Sequence, residues 1–297
     1  MMQLNALIKR NSKLFFKDKG MFFTSLITPV ILLVLYVTFL AKVYKDAFSG
    51  FIPQGIEMDE KLINGAVSGQ LLSSLLAVSC VTVAFCANLL MVNDKVNSAN
   101  KDFAMTPVKS SLLALSYFIS SAGVTLIICL TAFMVGLIYL SVMGWYLSVL
   151  DIVLLIGDII LLVLFGTALS SLINCRLTTA GHASAVGTIV SSGYGFICGA
   201  YMPISSFPEV LQKIISFLPG TYGTALLRNH YLRGVYAEML KKGYGEDIVE
   251  NIKRGIDCNI YFFDKKVSIP YMYLILIGSV IVITLCYIAL CRTRNKK

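Results

Sequence analysis

The chain is 297 residues long, 57% hydrophobic and 14% charged, with a formal net charge of +9. Roughly 20 consecutive apolar residues cross a bilayer, and six such runs occur, at 21–43, 66–92, 112–143, 147–173, 183–202 and 271–291. A soluble protein of this length has no interior able to hide them, and continuous runs such as Ile152 to Leu169 exclude the alternating pattern of a transmembrane β-barrel. The fold class is therefore an all-α polytopic membrane protein with six transmembrane helices.

The first twenty residues predict an amphipathic interface helix. Leu4, Leu7, Ile8, Leu14 and Phe15 share one side, and Lys9, Arg10, Lys13 and Lys17 lie elsewhere. Such a helix lies in the headgroup region with its cations toward anionic lipid. Lysine and arginine set orientation through short loops. They crowd the N-terminal segment, the 93–109 connection (Lys95, Lys101, Lys109), Arg176 and the tail from Arg292 to Lys297, and are absent from the third-to-fourth turn. The loop after the first span offsets Lys42, Lys45 and Lys61 with Asp46, Glu57, Asp59 and Glu60. Both termini are thus expected in the cytoplasm, and the positive charge needs no nucleic-acid partner. The first run is too long for the core of a cleaved signal, and no small-residue cleavage site follows it.

The second and fifth runs repeat small residues every fourth position: Gly65, Gly69, Ser73 and Ala77, then Ala183, Gly187, Ser191, Gly195 and Gly199. That spacing allows close helix packing in lipid, either within one chain or around an axis between two. The connection 93–108 mixes charges of both signs with Phe103 and Met105, and Thr106-Pro107 marks the start of the third span. In the fourth run Asp158 is the one acid clearly inside a span. An intramembrane carboxylate faces protein or water, and Asp151 reads as hydration of the same span's outer part.

Behind the fifth run the chain stays apolar but is broken by Pro203, Pro208 and Pro219. Backbone freed by proline cannot face lipid, so this stretch is buried, lines a water-filled path or lies at the membrane edge. Ser206 and Glu209 fit a capping box with Pro208 in the first turn. Leu211, Ile214, Ile215 and Leu218 make an apolar stripe, and Pro219-Gly220 is read as its stop. From Thr221 to Pro270 the chain turns polar, which predicts helices near 222–240 and 246–254 in a small outer subdomain. Cysteines lie mostly in spans, only Cys258 is well placed in an outer loop, and no disulfide framework emerges. His182 and His230 are isolated, so no metal site is expected. No phosphate-binding Gly-x-x-x-x-Gly-Lys-Ser/Thr loop and no hydrolase or metalloprotease motif occurs.

The order Gly199…Pro203…Pro208-Glu209…Leu211-Gln212…Leu218-Pro219, then Thr221-Tyr222…Leu227-Arg228, resembles the fifth span and re-entrant segment of type-2 ABC exporter permeases. The resemblance covers essentially the whole chain. It implies a 1–20 connecting helix and a six-span permease domain at 21–297, with a re-entrant segment and outer loop at 203–270. It places an ATPase-coupling helix at Asp94, Lys95, Lys101, Asp102, Phe103 and Pro107, with Asp94-Lys95 standing where the family has Glu-Arg. It makes Pro203, Pro208, Glu209, Pro219, Tyr222 and Arg228 a re-entrant gate. It also puts Ser191, Ser192, Tyr194, Phe196 and Asp158 within reach of a pathway.

The implied partners are a separate cytoplasmic ATP-binding-cassette ATPase in two copies, a second permease subunit, identical or not, and membrane lipid. The chain itself is then no enzyme, binds no cofactor, and sits multi-pass in a bacterial cytoplasmic membrane. Drug-like amphiphiles, antibiotics or antimicrobial peptides, and lipid-linked glycans remain open as cargo. Two other classes also fit the spans. One is an ion-coupled secondary transporter, which Asp158 favours but no inverted repeat supports; the other is a non-transporting immunity or sensor protein.

Overall fold

The computed structural model describes residues 2–50, 59–106, 108–263 and 265–294. Helices α1 (Met2–Lys17), α2 (Lys19–Leu35) and α3 (Ala41–Gly50) open the chain, with a π-helical turn at Tyr36–Leu40 between the last two. They are followed by α4 (Glu60–Val96), α5 (Ala99–Ala104), α6 (Ser110–Met143), α7 (Val149–Asn174) and α8 (Ala180–Ile197). After a 3-10 turn at Ile204–Ser206 come α9 (Glu209–Ile215), α10 (Pro219–Lys241), α11 (Glu246–Gly255), a two-stranded hairpin and α12 (Ile269–Arg294).

Among the described residues, five helices are long and apolar enough to cross a membrane: Lys19–Leu40, Glu60–Val96, Ser110–Met143, Val149–Asn174 and Ile269–Cys291. The predicted fifth span, 183–202, is not among them. It becomes α8, whose 18 residues reach about 27 Å at 1.5 Å per residue. Gly181, Ser184, Gly187, Ser191, Ser192 and Gly193 dilute its apolar content. The helix ends at Ile197, and Gly199 then takes a left-handed φ of +70°, which is accessible to glycine without strain.

Helix α4 is the axis of the bundle. It is buried along almost its whole length, between α2, α3, α6, α7, α8 and α10. This enclosure explains why its apolar residues show no helical face: every side meets protein. Close approach depends on missing side chains. A Cβ on Gly166 of α7 would stand 2.7 Å from the Cys80 carbonyl oxygen, and one on Gly69 would stand 2.9 Å from Leu232. The small residues of the second span therefore serve packing inside one chain, and α4 has no free side to offer an axis between two chains.

Helix α10 departs most from expectation. The sequence predicts a polar outer helix near 222–240, whereas α10 packs against α4, α7 and α12 and is buried over most of its 23 residues. Pro219 opens this helix in its first turn instead of stopping the preceding one. A Cβ on Gly223 would collide with Leu162 of α7, and Gly234 lies on the backbone of Tyr146, just before α7 begins. The two helices are thus antiparallel neighbours. Helix α11 buries Val249 and Ile252, and the hairpin pairs Tyr261 with Lys266 and Phe262 with Lys265.

Candidate functional site: a charged clasp, a folded-back segment and a polar seam

At the end of the bundle that carries α1 and α5, the helix α1 buries Leu7, Asn11 and Phe15 and leaves Leu14 exposed. Arg10 makes two bonds to the Asp94 carboxylate, 2.6 and 3.0 Å long. The Tyr117 hydroxyl donates to the same carboxylate at 2.5 Å. Asp94 thereby joins α1, α4 and α6, and its hydrogen bond raises Arg10 above the usual guanidinium range. Lys95 donates to the carbonyls of Asn174, Cys175 and Leu177 at 3.0, 2.8 and 3.0 Å, closing the C-terminus of α7.

These two residues were expected to contact a partner; the fold itself engages them. Their neighbours behave differently. Asp102 is exposed on the six-residue α5, Phe103 lies half-buried 5.0 Å beneath the Arg10 guanidinium, and Met105 is 86% exposed. The Lys101 side chain and Pro107 lie outside the described residues. Helix α6 begins at Ser110, with Lys109 at its N-cap position.

Beyond α8 the chain folds back on itself. The Tyr201 ring covers Gly195 and meets Phe196 edge-on at 5.2 Å. Pro203 precedes the 3-10 turn, and Pro208 is the N-cap of α9. The predicted Ser206–Glu209 capping box does not form, because Ser206 is held in the 3-10 turn and the cap position falls on Pro208. Gln212 ties the turn instead, donating to Phe207 O at 2.7 Å and Ser205 O at 3.3 Å. The Tyr222 hydroxyl donates to Ser216 O at 2.5 Å and fixes the approach to α10.

Arg228 is fully buried. It bonds the Gly199 carbonyl, Ser74 Oγ at 3.1 Å and Asp257 Oδ2 at 3.4 Å. Asp257 also accepts from Ile204 N at 2.6 Å. Burial pushes this carboxyl above its usual range, and Arg228 opposes that shift. Of the expected gate residues, Tyr222 and Arg228 therefore anchor the folded-back segment, the three prolines shape it, and Glu209 opens α9.

Among the expected pathway residues, Tyr194 is buried against Gly220, and Ser191 is half-buried with its carbonyl accepting from Tyr201 at 3.4 Å. Ser192 and Phe196 remain on the free face of α8. Asp158 is not a lone acid. It meets His230 Nδ1 at 2.5 Å and accepts from the Tyr273 hydroxyl at 2.5 Å. Asp151, expected to be hydrated, is buried and pairs with Arg233 at 2.6 Å while closing a capping box with Ser148. His230 was read as isolated because its partner is 72 residues away. The available signal was spacing: Asp151 and Asp158 are two helical turns apart on one face, and His230 and Arg233 are one turn apart.

No metal-ligating cluster occurs among the described residues. No curated protein matches the chain. A family model does, the one described as ABC-2 type transporter, over residues 2–232. That stretch is well over half of the chain. It runs from α1 through the Arg10–Asp94 clasp and the folded-back segment to His230 on α10, while Arg233, Asp257 and Tyr273 lie beyond it. The chain belongs to the ABC-2 type transporter family.

Proposed function

We propose that this multi-pass membrane protein is the permease subunit of an exporter, forming the substrate path while a separate ATPase supplies the energy. In this reading α8 completes six spans, both termini and α5 face the cytoplasm of a bacterial cell, and 203–218 is a re-entrant gate. Two ATPase subunits press on two permease subunits. The observation that carries the reading is α5. This short helix stands between two span helices, is braced on α1 through Phe103 and Arg10, and presents Asp102 and Met105 outward. An exposed apolar side chain at the end of a short helix, near an exposed carboxylate and outside the spans, suits a docking contact with a second protein.

The free face of α8 supports an amphiphilic cargo of the drug, antibiotic or peptide class. It sets the hydroxyls of Thr188 and Ser192 beside Ile189 and Phe196. Co-purification with the ATPase in mild detergent tests the proposal. A two-plus-two complex is expected, with no nucleotide hydrolysis by this chain alone; measurable turnover by the isolated chain would refute it.

A further inference from the structure

The seam between α7 and α10 holds an uneven set of charges. Asp151 and Asp158 of α7 are each 1% exposed and both face α10. Opposite them stand Arg233, ion-paired with Asp151 at 2.6 Å, and His230, 2.5 Å from Asp158. Arginine stays charged at any working pH, so the seam has two carboxylates and one permanent cation.

The surrounding elements cannot make up the difference. Helix α6 has no charged residue between Ser110 and Met143, and α4 has none between Lys61 and Asp94. Helix α12 has none from Ile269 to Cys291 and contributes the Tyr273 hydroxyl, which is neutral. On α10 itself, Arg228 is committed to Asp257, Gly199 and Ser74. Buried charge is tolerated where it is paired, and histidine is the side chain whose ordinary titration falls between about pH 5 and 8.

We propose that Asp158, His230 and Tyr273 form a proton-binding site, in which a proton on His230 balances the second carboxylate and locks α10 onto α7 and α12. The three residues come from three different helices, and their shared contact holds those helices together. Tyr273 is the half-buried member, its ring stacked on that of His230 at 6.4 Å, and it offers the route by which the proton is exchanged. The sign follows directly. The lock is complete when His230 carries its proton and weakens as pH rises and the imidazole becomes neutral. The site stands independently of the exporter reading, because nothing in it involves an ATPase.

The test uses the full chain in lipid nanodiscs, labelled with 15N-histidine, with His182→Gln so that His230 reports alone. At neutral pH the ring is expected to carry protons on both nitrogens and to lose one on alkaline titration. The thermal midpoint of the wild type is expected to fall by several degrees over the same titration. Asp158→Asn removes the carboxylate that requires the proton, so its midpoint should fall less with pH than that of the wild type, and His230→Gln should behave likewise. If His230→Gln does not fold, the spectrum and Asp158→Asn still decide. A single neutral tautomer throughout, or an unchanged pH slope in Asp158→Asn, would overturn the proposal and leave the exporter reading untouched.

Discussion

Arg10 and Asp94 show what a charge outside the lipid is worth once its surroundings are known. The Asp94 side chain is 9% exposed and that of Arg10 is 32% exposed. Removing Arg10 leaves a largely buried carboxylate with only the Tyr117 hydroxyl. Breaking a fully buried pair costs about 3–5 kcal/mol, and solvent access at Arg10 reduces this to roughly 1–3 kcal/mol here. Arg10→Ala should therefore lower the thermal midpoint clearly, with Asp94→Ala next. Asp102→Ala, on an exposed side chain, should stay within about 0.5 kcal/mol of wild type. In pull-downs the order reverses in meaning: Asp102→Ala and Met105→Ala should lose the ATPase while remaining folded. If Asp102→Ala melts as early as Arg10→Ala, α5 is held by its own charges and not by the clasp. Cys258 makes a companion case. Burial pushes its thiol up to about 11, and only the thiolate is reactive. Although it lies in a loop, it should resist impermeant maleimide on intact cells at neutral pH.

At the scale of the element, the glycines separate positions that look alike in the sequence. A Cβ on Gly166 meets backbone atoms of Cys80 and Val81, whereas one on Gly187 meets nothing within 4 Å. Backbone cannot swing aside as a side chain can. Gly166→Ala must push α7 off α4, costing about 1–3 kcal/mol as overpacking does, while Gly187→Ala should be neutral or gain up to about 1 kcal/mol of helix propensity. Comparing their midpoints in the isolated chain checks this, and equal effects would contradict the packing described. The same contrast explains what was legible beforehand. Continuous apolar runs located five spans because length and composition suffice for them. Helix α10 was misplaced because Arg228, Asn229, His230 and Arg233 read as solvated, and their partners Asp257, Asp158 and Asp151 are remote in sequence. The clasp was missed likewise: nothing local distinguishes Asp94, which Arg10 binds, from Asp102, which is exposed. Polar residues announce burial only through partners, and one sequence does not pair them.

Across the whole molecule, the exposed surfaces of the helices differ in kind. Helix α2 shows Phe23, Val30 and Val34, α6 shows Ile127, Met134 and Ile138, and α12 shows Leu274, Ile281 and Leu285. Large apolar side chains suit lipid. Helix α8 shows a mixed face, with Gly181, Ser184, Thr188 and Ser192 set among the exposed Ile189 and Phe196, and a Cβ on Gly181, Gly187 or Gly193 would meet open space. The small residues of this face let a second helix make a close backbone approach. With α4 enclosed, α8 is the helix through which, on the proposed reading, a second permease subunit would pack, sharing that face with the proposed cargo path. Gly187→Leu should then leave expression, insertion and the midpoint of the isolated chain near wild type, since the new side chain points away from its own fold. It should abolish cross-linking between two copies carrying cysteine at Thr188, and with it ATPase-driven transport. The orientation is checked in the same cysteine-free background. Cysteine at Glu246 should label from outside the cell and cysteine at Asn97 should not, since the two lie at opposite ends of the bundle. Undiminished cross-linking in Gly187→Leu would move the contact between subunits to another face and leave α8 as a helix bordering lipid or cargo alone.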